Sequence, residues 1–277
     1  MQTTQFAIVP FGTQHIEGAL ALSRQAGWPH RLADWEMALA LSTGVVALDN
    51  EKVVGTTMTT RYEADCATIN MVIVDETMRG RGLGRRLMDA ALGAARGVQC
   101  RLIATQEGLP LYEKMGFGEV GTILQHQGFC AAVDAPVDVE WAQPGHLPEI
   151  AVLDQGAFGA DRGGLISYLA SIGRFAVIRR VGQVVGFSAV RPFGRGDVIG
   201  PVVAENSEDA RKLILFQMAA RRDAFLRIDT TGSSGLSSWL VERGLVHVGG
   251  GTAMQRGDRA GKPSHAKTFA LANQAFG

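Results

Sequence analysis

The feature that most constrains this chain is that its second half repeats the first at a nearly constant offset. FAVIRRVGQVVGFSAVR (175–191) parallels VVALDNEKVVGTTMTTR (45–61), so that Gly186 minus Gly55 is 131 and Arg191 minus Arg61 is 130. WLVERGL (239–245) parallels LYEKMGF (111–117), and Gly244 minus Gly116 is 128. Between these pairs, IGPVVAENSEDARKLI (199–214) takes the place of NMVIVDETMRGRGLGRRLM. A solenoid would repeat far sooner, so the spacing predicts one domain duplicated. The 277 residues suit two domains of ordinary size. The boundary is expected in AAVDAPVDVEWAQPGHLPE (131–149), which holds three prolines. That gives an amino-terminal domain over 1–135 and a carboxy-terminal domain over 136–277.

Within the first copy, AIVPF (7–11) reads as a strand and residues 13–26 as a helix. Asp34 reads as the N-cap of a second helix, its short carboxylate accepting from otherwise free N–H groups. GVVALDNEKVVGTTMTTRYE reads as a hairpin turning at Asp49-Asn50-Glu51. TINMVIV (68–74) is apolar enough for a strand buried on both faces. Leu83, Leu87, Met88, Ala91, Leu92 and Ala95 share one helical stripe. RLIAT (101–105) follows as a strand and LPLYEKM (109–115) as a short helix, opened by Pro110 and ended by Gly116. Strand, glycine loop, helix and strand make an α/β unit.

The loop itself reads MRGRGLG (78–84). Glycines leave backbone N–H groups free to converge on an anion, and the helix behind them adds the positive end of its dipole. Arg79, Arg81 and Arg85 add charge. The physical reading is a diphosphate site. A P-loop would need a lysine followed by serine or threonine, and none is here. A dinucleotide site needs GxGxxG and an acid about 20 residues on. This pattern is GxGxG, and no acid lies between Asp89 and Glu107.

Arg79-Gly80-Arg81-Gly82-Leu83-Gly84 fits (Q/R)xxGx(G/A) behind a strand and ahead of a helix, and Tyr112 in LYEKMGF follows. Over residues 6 to 125 the chain thereby resembles the GNAT superfamily of acyl-CoA N-acyltransferases. The resemblance implies an α/β (α+β) fold of two tandem GNAT-like domains, each a mixed, mostly antiparallel sheet flanked by helices. It implies acetyl-CoA as co-substrate, its pyrophosphate held by Arg79, Gly80, Arg81, Gly82, Leu83, Gly84 and Arg85. Its pantetheine arm would pair with backbone of Val72, Ile73 and Val74, and Tyr112 would protonate the departing thiolate. The general base stays open among Glu107, Asp34 and a water held by Asn70, since Thr68-Ile69-Asn70 offers no carboxylate. The function implied is transfer of an acetyl group to the primary amine of a small molecule. A non-catalytic acyl-CoA sensor or interaction module is the alternative.

The second copy reads differently. Leu240 stands where Tyr112 stands, and ENSEDARK replaces the glycine loop with Glu205, Glu208 and Asp209. Carboxylates there repel a pyrophosphate, so the second domain is expected to keep the fold without a cofactor site. On the acceptor side, GWPHRLADW (27–35) offers Trp28, His30, Arg31 and Trp35, while Asn70, Asp161 and Arg162 are further candidates. IGPVVA (199–204) is grouped with them, and ARRDAFLR reads as a solvated helix face.

Composition narrows the setting. Lys plus Arg and Asp plus Glu are 27 each, giving no net charge and no basic excess for nucleic acid. MQTTQFAIVPFG lacks a signal-peptide pattern, and no long apolar run suggests a membrane span. Three widely spaced cysteines fit a reducing compartment, and no ligand spacing suggests a metal. A cytoplasmic protein without metal is expected. The oligomeric state is not legible.

Overall fold

The computed structural model describes residues 6–258 and 264–277. The reading of MQTTQFAIVPFG therefore lies partly outside the described residues, as does any reading of 259–263. The first half runs β1 (Ala7–Pro10), α1 (Ile16–Gln25), α2 (Leu32–Leu41), β2 (Thr43–Asp49), β3 (Lys52–Tyr62) and β4 (Cys66–Val74). It continues with α3 (Leu83–Ala94), β5 (Gln99–Ala104), α4 (Leu109–Lys114) and β6 (Gly118–Phe129). The second half has β7 (Glu140–Trp141), α5 (Leu147–Phe158), α6 (Gly163–Ile172), β8 (Arg174–Arg180), β9 (Gln183–Phe193) and β10 (Gly196–Ala204). Then come α7 (Ser207–Ala219), β11 (Phe225–Thr231), α8 (Ser237–Val241), β12 (Val246–Arg256) and β13 (Lys267–Ala270). From β2 to β6 and from β8 to β12 the two halves match element by element. Strand β13 has no counterpart.

The match extends to register. Thr56 of β3 faces Ile73 of β4, and Phe187 of β9 faces Val203 of β10, at offsets of 131 and 130. Both β4 and β10 carry a bulge just before that pair. In β4 it puts Met71 at φ +50°, an uncommon conformation for a long side chain. The hydroxyl of Thr56 donates to the Met71 carbonyl at 2.7 Å and helps hold it.

The two halves do not form separate sheets. They share one sheet in the order β1-β2-β3-β4-β5-β12-β6-β11-β13-β10-β9-β8-β7. Strand β12 of the second half lies against β5 of the first, while β6 of the first lies against β11 of the second. The strand following each short helix has thus been exchanged. Where β6 and β12 pair, Gly250 (φ +153°) lies so close to the Ile123 carbonyl that a Cβ would collide with it.

Packing agrees with this union. One core contains Trp35, Met58 and Met71 from the first half and Ile150, Phe187 and Phe276 from the second. Burial of such side chains removes roughly 1.5–3 kcal/mol of apolar exposure each.

Two local readings need correction. Helix α2 starts at Leu32, with Arg31 as N-cap, and Asp34 is the third helical residue. Its carboxylate accepts from the Arg31 N–H at 2.8 Å, so a residue inside the first turn supports the earlier start. ARRDAFLR is not one helix face: α7 ends at Ala219 and β11 begins at Phe225.

Candidate active site

Strands β4 and β5 are parallel and pair only from Cys66–Gln99 to Thr68–Arg101. Beyond that they diverge, because the bulge turns β4 away while β12 holds β5 in the sheet. The fork opens into a cavity of about 240 Å³, with Ile69, Asn70, Met71 and Val72 on one side and Leu102, Ile103 and Thr105 on the other. Tyr112 is in its wall.

The glycine loop follows β4 directly. Asp75, buried at its entrance, accepts from the N–H and hydroxyl of Thr77 and from Lys52 Nζ at 3.0 Å. These donors, with Thr77 first, pull its carboxyl down to about 2 against the opposing effect of burial. Gly80 and Gly82 have φ of +73° and +79°, and a Cβ on either would meet nothing within 4 Å. Their glycines are therefore required by backbone conformation and leave bare chain facing open space. The first bond into α3 runs from the Arg86 N–H to the Gly82 carbonyl. The N–H groups of Leu83, Gly84 and Arg85 precede it, as at any helix start. Arg79, Arg81 and Arg85 are all exposed around them.

Tyr112 is 8% exposed and packs edge-on to Phe117 at 6.2 Å between ring centres. Burial pushes its hydroxyl up to about 12. That hydroxyl makes no hydrogen bond among the described residues, so its proton is free for a guest in the cavity. Gly108 keeps the ring in place, since a Cβ there would come within 2.7 Å of Tyr112 Cε2.

The second half forks in the same way and is filled. Strands β10 and β11 pair only at Asp197–Leu226 and Val198–Arg227. Strand β13 then enters between them, matching Val202, Val203 and Ala204 to Ala270, Thr268 and Lys267. It also pairs with Thr230 of β11. At the offset of 130, Val202, Val203 and Ala204 correspond to Val72, Ile73 and Val74. The chain's own second copy thus carries an added strand on the backbone positions that are open in the first. From β10 to α7 there is no glycine loop, only Glu205 and Asn206. Asp209 is held by Arg180 at 2.6 Å.

Comparison with known proteins fits both copies. The family model described as "Acetyltransferase (GNAT) family" matches residues 14–117, and "Acetyltransferase (GNAT) domain" matches 150–270. An uncharacterized N-acetyltransferase, YitH of Bacillus subtilis, is 30% identical over 253 residues, covering 86% of this chain and 87% of that protein. The chain belongs to the GNAT superfamily. A putative acetyltransferase from Pyrococcus horikoshii shares the fold at a TM-score of 0.80 with 19% identity, over 100% of this chain and 98% of the other. A tandem GNAT protein from the clavulanic acid biosynthesis pathway overlays at 0.61 with 14% identity, over 93% and 99%.

This GNAT protein is an acetyltransferase, and acetyl-CoA is the family's general donor. An acceptor of some kind follows. Among the described residues no cluster could hold a metal ion, and no helix is long and apolar enough to cross a membrane.

Not every residue expected at the site is there. Trp28 and His30 line the cavity, but Trp35 is fully buried core, its indole N–H donating to Ser23. Arg31 points to Asp34 instead, in a two-pronged ion pair at 2.8 Å. Asp161 caps a turn through the Gly163 N–H. Arg162 is buried on Asp154 and the carbonyls of Phe276 and Gly277. Neither lines the cavity, although Arg162 anchors the segment that does. Of residues 199–204, Val202 to Ala204 pair with β13, and none lines the cavity. Glu107 lies outside the cavity lining, while Asp34 borders an adjoining small cavity as the ionised partner of Arg31.

Other wall residues were not expected. Gln125 of β6, Arg227 of β11, Gly250 of β12, and Gln274 and Ala275 behind β13 all line the cavity. They come from exchanged or second-half segments. One sequence signal could have found Arg227: a lone cation inside the apolar, alternating strand FLRIDTT.

Proposed function

We propose that this acetyltransferase moves an acetyl group from acetyl-CoA to a primary amine of a small molecule, in the β4–β5 fork of the first half. The observation that carries the reading is the contrast of the two forks: the backbone that takes a strand in the second copy is free in the first, with the glycine loop at its end. Val72, Ile73 and Val74 would pair with the pantetheine arm as Val202 to Ala204 pair with β13. The N–H groups at Gly80 to Arg85 and the arginines at 79, 81 and 85 would hold the pyrophosphate. The units carrying these roles are residues 1–135, with the cofactor site, and 136–277, without one.

Acetyl-CoA supplies an activated thioester carbonyl. The acceptor nitrogen bonds to that carbon as the C–S bond breaks. Tyr112, in the cavity wall, would give its hydroxyl proton to the leaving sulfur, while the proton lost by the amine would return to the tyrosinate through water. An ordinary thiol has a pKa of about 8.5, well below the value of about 12 for Tyr112. The transfer therefore depends on the same apolar wall, which penalises a thiolate as it does a phenolate. Asn70 holds the amine side. Its amide donates to Thr60 at 2.9 Å, leaving Oδ1 buried without a partner among the described residues. An acceptor amine or its relay water satisfies that oxygen, which otherwise costs about 1–3 kcal/mol.

Calorimetric titration with acetyl-CoA, followed by thiol release across a panel of amines, tests the proposal. One site per chain and release with at least one amine are expected. Two sites per chain would contradict the filled second fork, and none would remove the cofactor assignment.

A further inference from the structure

Resting on the acetyl-transfer reading of this cavity, its charge distribution narrows the acceptor. Arg227 is the one charged residue lining the main cavity among the described residues. Its Nε and Nη2 donate to Asp229 at 3.1–3.2 Å, and Nη1 makes no hydrogen bond among the described residues. Asp229 is fully buried and also accepts from Gln274, whose amide donates in turn to Gln125. The free donor is thus aimed by a network with little freedom to move.

The surroundings carry an excess of one positive charge. Arg227 is balanced by Asp229, and Arg31 by Asp34. Arg191 is 1% exposed and, among the described residues, has no carboxylate in hydrogen-bond range. Among those residues its Nε is unpartnered, and its other nitrogens reach only the carbonyls of Pro192 and Ala272, at 3.4 and 3.3 Å. Arg191 and Arg227 lie against the same ring, Phe193, at 4.9 and 5.2 Å. Phe193 lines the small cavity adjoining the main one, and Arg227 lines both. Burial draws Arg191 down to about 10, which still leaves it a cation at neutral pH. An uncompensated buried charge is costly, and a guest anion relieves it.

We propose that the acceptor is an amine that also carries a carboxylate, which pairs with Nη1 of Arg227 and offsets the excess charge of Arg191, which shares the Phe193 ring with it but lines neither cavity. The amine then points away from β11 toward Asn70 and Tyr112 on the first-half side. The second half, without a cofactor site of its own, selects the substrate.

The test uses amino acids of different chain lengths, each paired with its carboxamide, at saturating acetyl-CoA with thiol release as readout. Accepted acids should exceed their amides in kcat/KM by roughly tenfold or more, as one charge-assisted hydrogen bond provides. In Arg227→Gln that ratio should fall to near one through KM, while Arg227→Lys retains part of it. Thermal melts establish that both variants are folded. Equal use of acids and amides by the native chain would overturn the proposal, as would an unchanged ratio in Arg227→Gln. Release with amides alone overturns it but leaves acetyl transfer standing. Release with neither overturns the proposal, and acetyl transfer falls with it only if the wider amine panel also gives no release.

Discussion

The two halves solve one structural problem in opposite ways. Each opens a fork where parallel strands diverge after two or three paired residues, exposing strand edges that need partners. The second half fills its fork with β13. The first leaves it open, bordered by glycines, the N–H groups that start α3 and a tyrosine hydroxyl without a partner among the described residues. An unsatisfied edge inside a domain is a liability unless something binds there, which is why the proposed site lies in the open fork and not in the filled one.

The comparison breaks first at Tyr112. Replacing it with phenylalanine should lower kcat by roughly 10²–10⁴-fold, the usual worth of general-acid help. Affinity for acetyl-CoA by calorimetry should hardly change. Full activity would remove the acid role. Next comes the filled fork. Ala270→Pro sits between β10 and β11, where a proline loses a ladder bond and obstructs pairing. Thermal or denaturant unfolding should show a loss of about 3 kcal/mol.

His30 joins the halves, bonding Ser23 at 3.0 Å and meeting Phe193 edge-on at 5.9 Å. Burial lowers its pKa from 6.5 to about 4. Protonation therefore favours the unfolded chain: the contribution is complete above pH 6.5 and fades as pH falls toward 4. Over that window the loss is at most about 3 kcal/mol. Melts of the native chain should decline more steeply there than those of His30→Gln. The smallest effect is expected from Leu240→Tyr, which restores the missing phenol in the second copy. Leu240 is fully buried, so overpacking should cost about 1–3 kcal/mol. Turnover per chain should not rise, because the fork beside it is occupied.

Much of this was written locally. The hairpin at Asn50 and Glu51, the apolar stripe of α3, the glycine loop and Tyr112 each depend on neighbours within a few residues. The repeat offsets of 128 to 131 also survive as matched strands. What the sequence did not disclose depends on pairing across the chain. Nothing in GTILQHQGF announces that it pairs with β11 of the other half. Gln125 and Arg227 could not be placed at the site without that exchange. Asp161 and Arg162 misled for a related reason. A charged pair in a loop reads as a candidate for a pocket, yet Arg162 is consumed by Asp154 and by the carbonyls of Phe276 and Gly277.

The exchange of β6 and β12 also bears on synthesis. A ribosome releases β1 to β5 and the glycine loop early, but β5 waits for a neighbour more than 140 residues downstream, since Thr252 minus Ala104 is 148. Gln274 and Ala275, the last wall of the cavity, emerge later still. The nascent first half must therefore persist with an unpaired edge and an unfinished pocket, the situation in which long-range sheets fold slowly and attract chaperones. A chain stopped before Gln274 and Ala275 would lack one wall of the cavity, however complete its glycine loop and Tyr112.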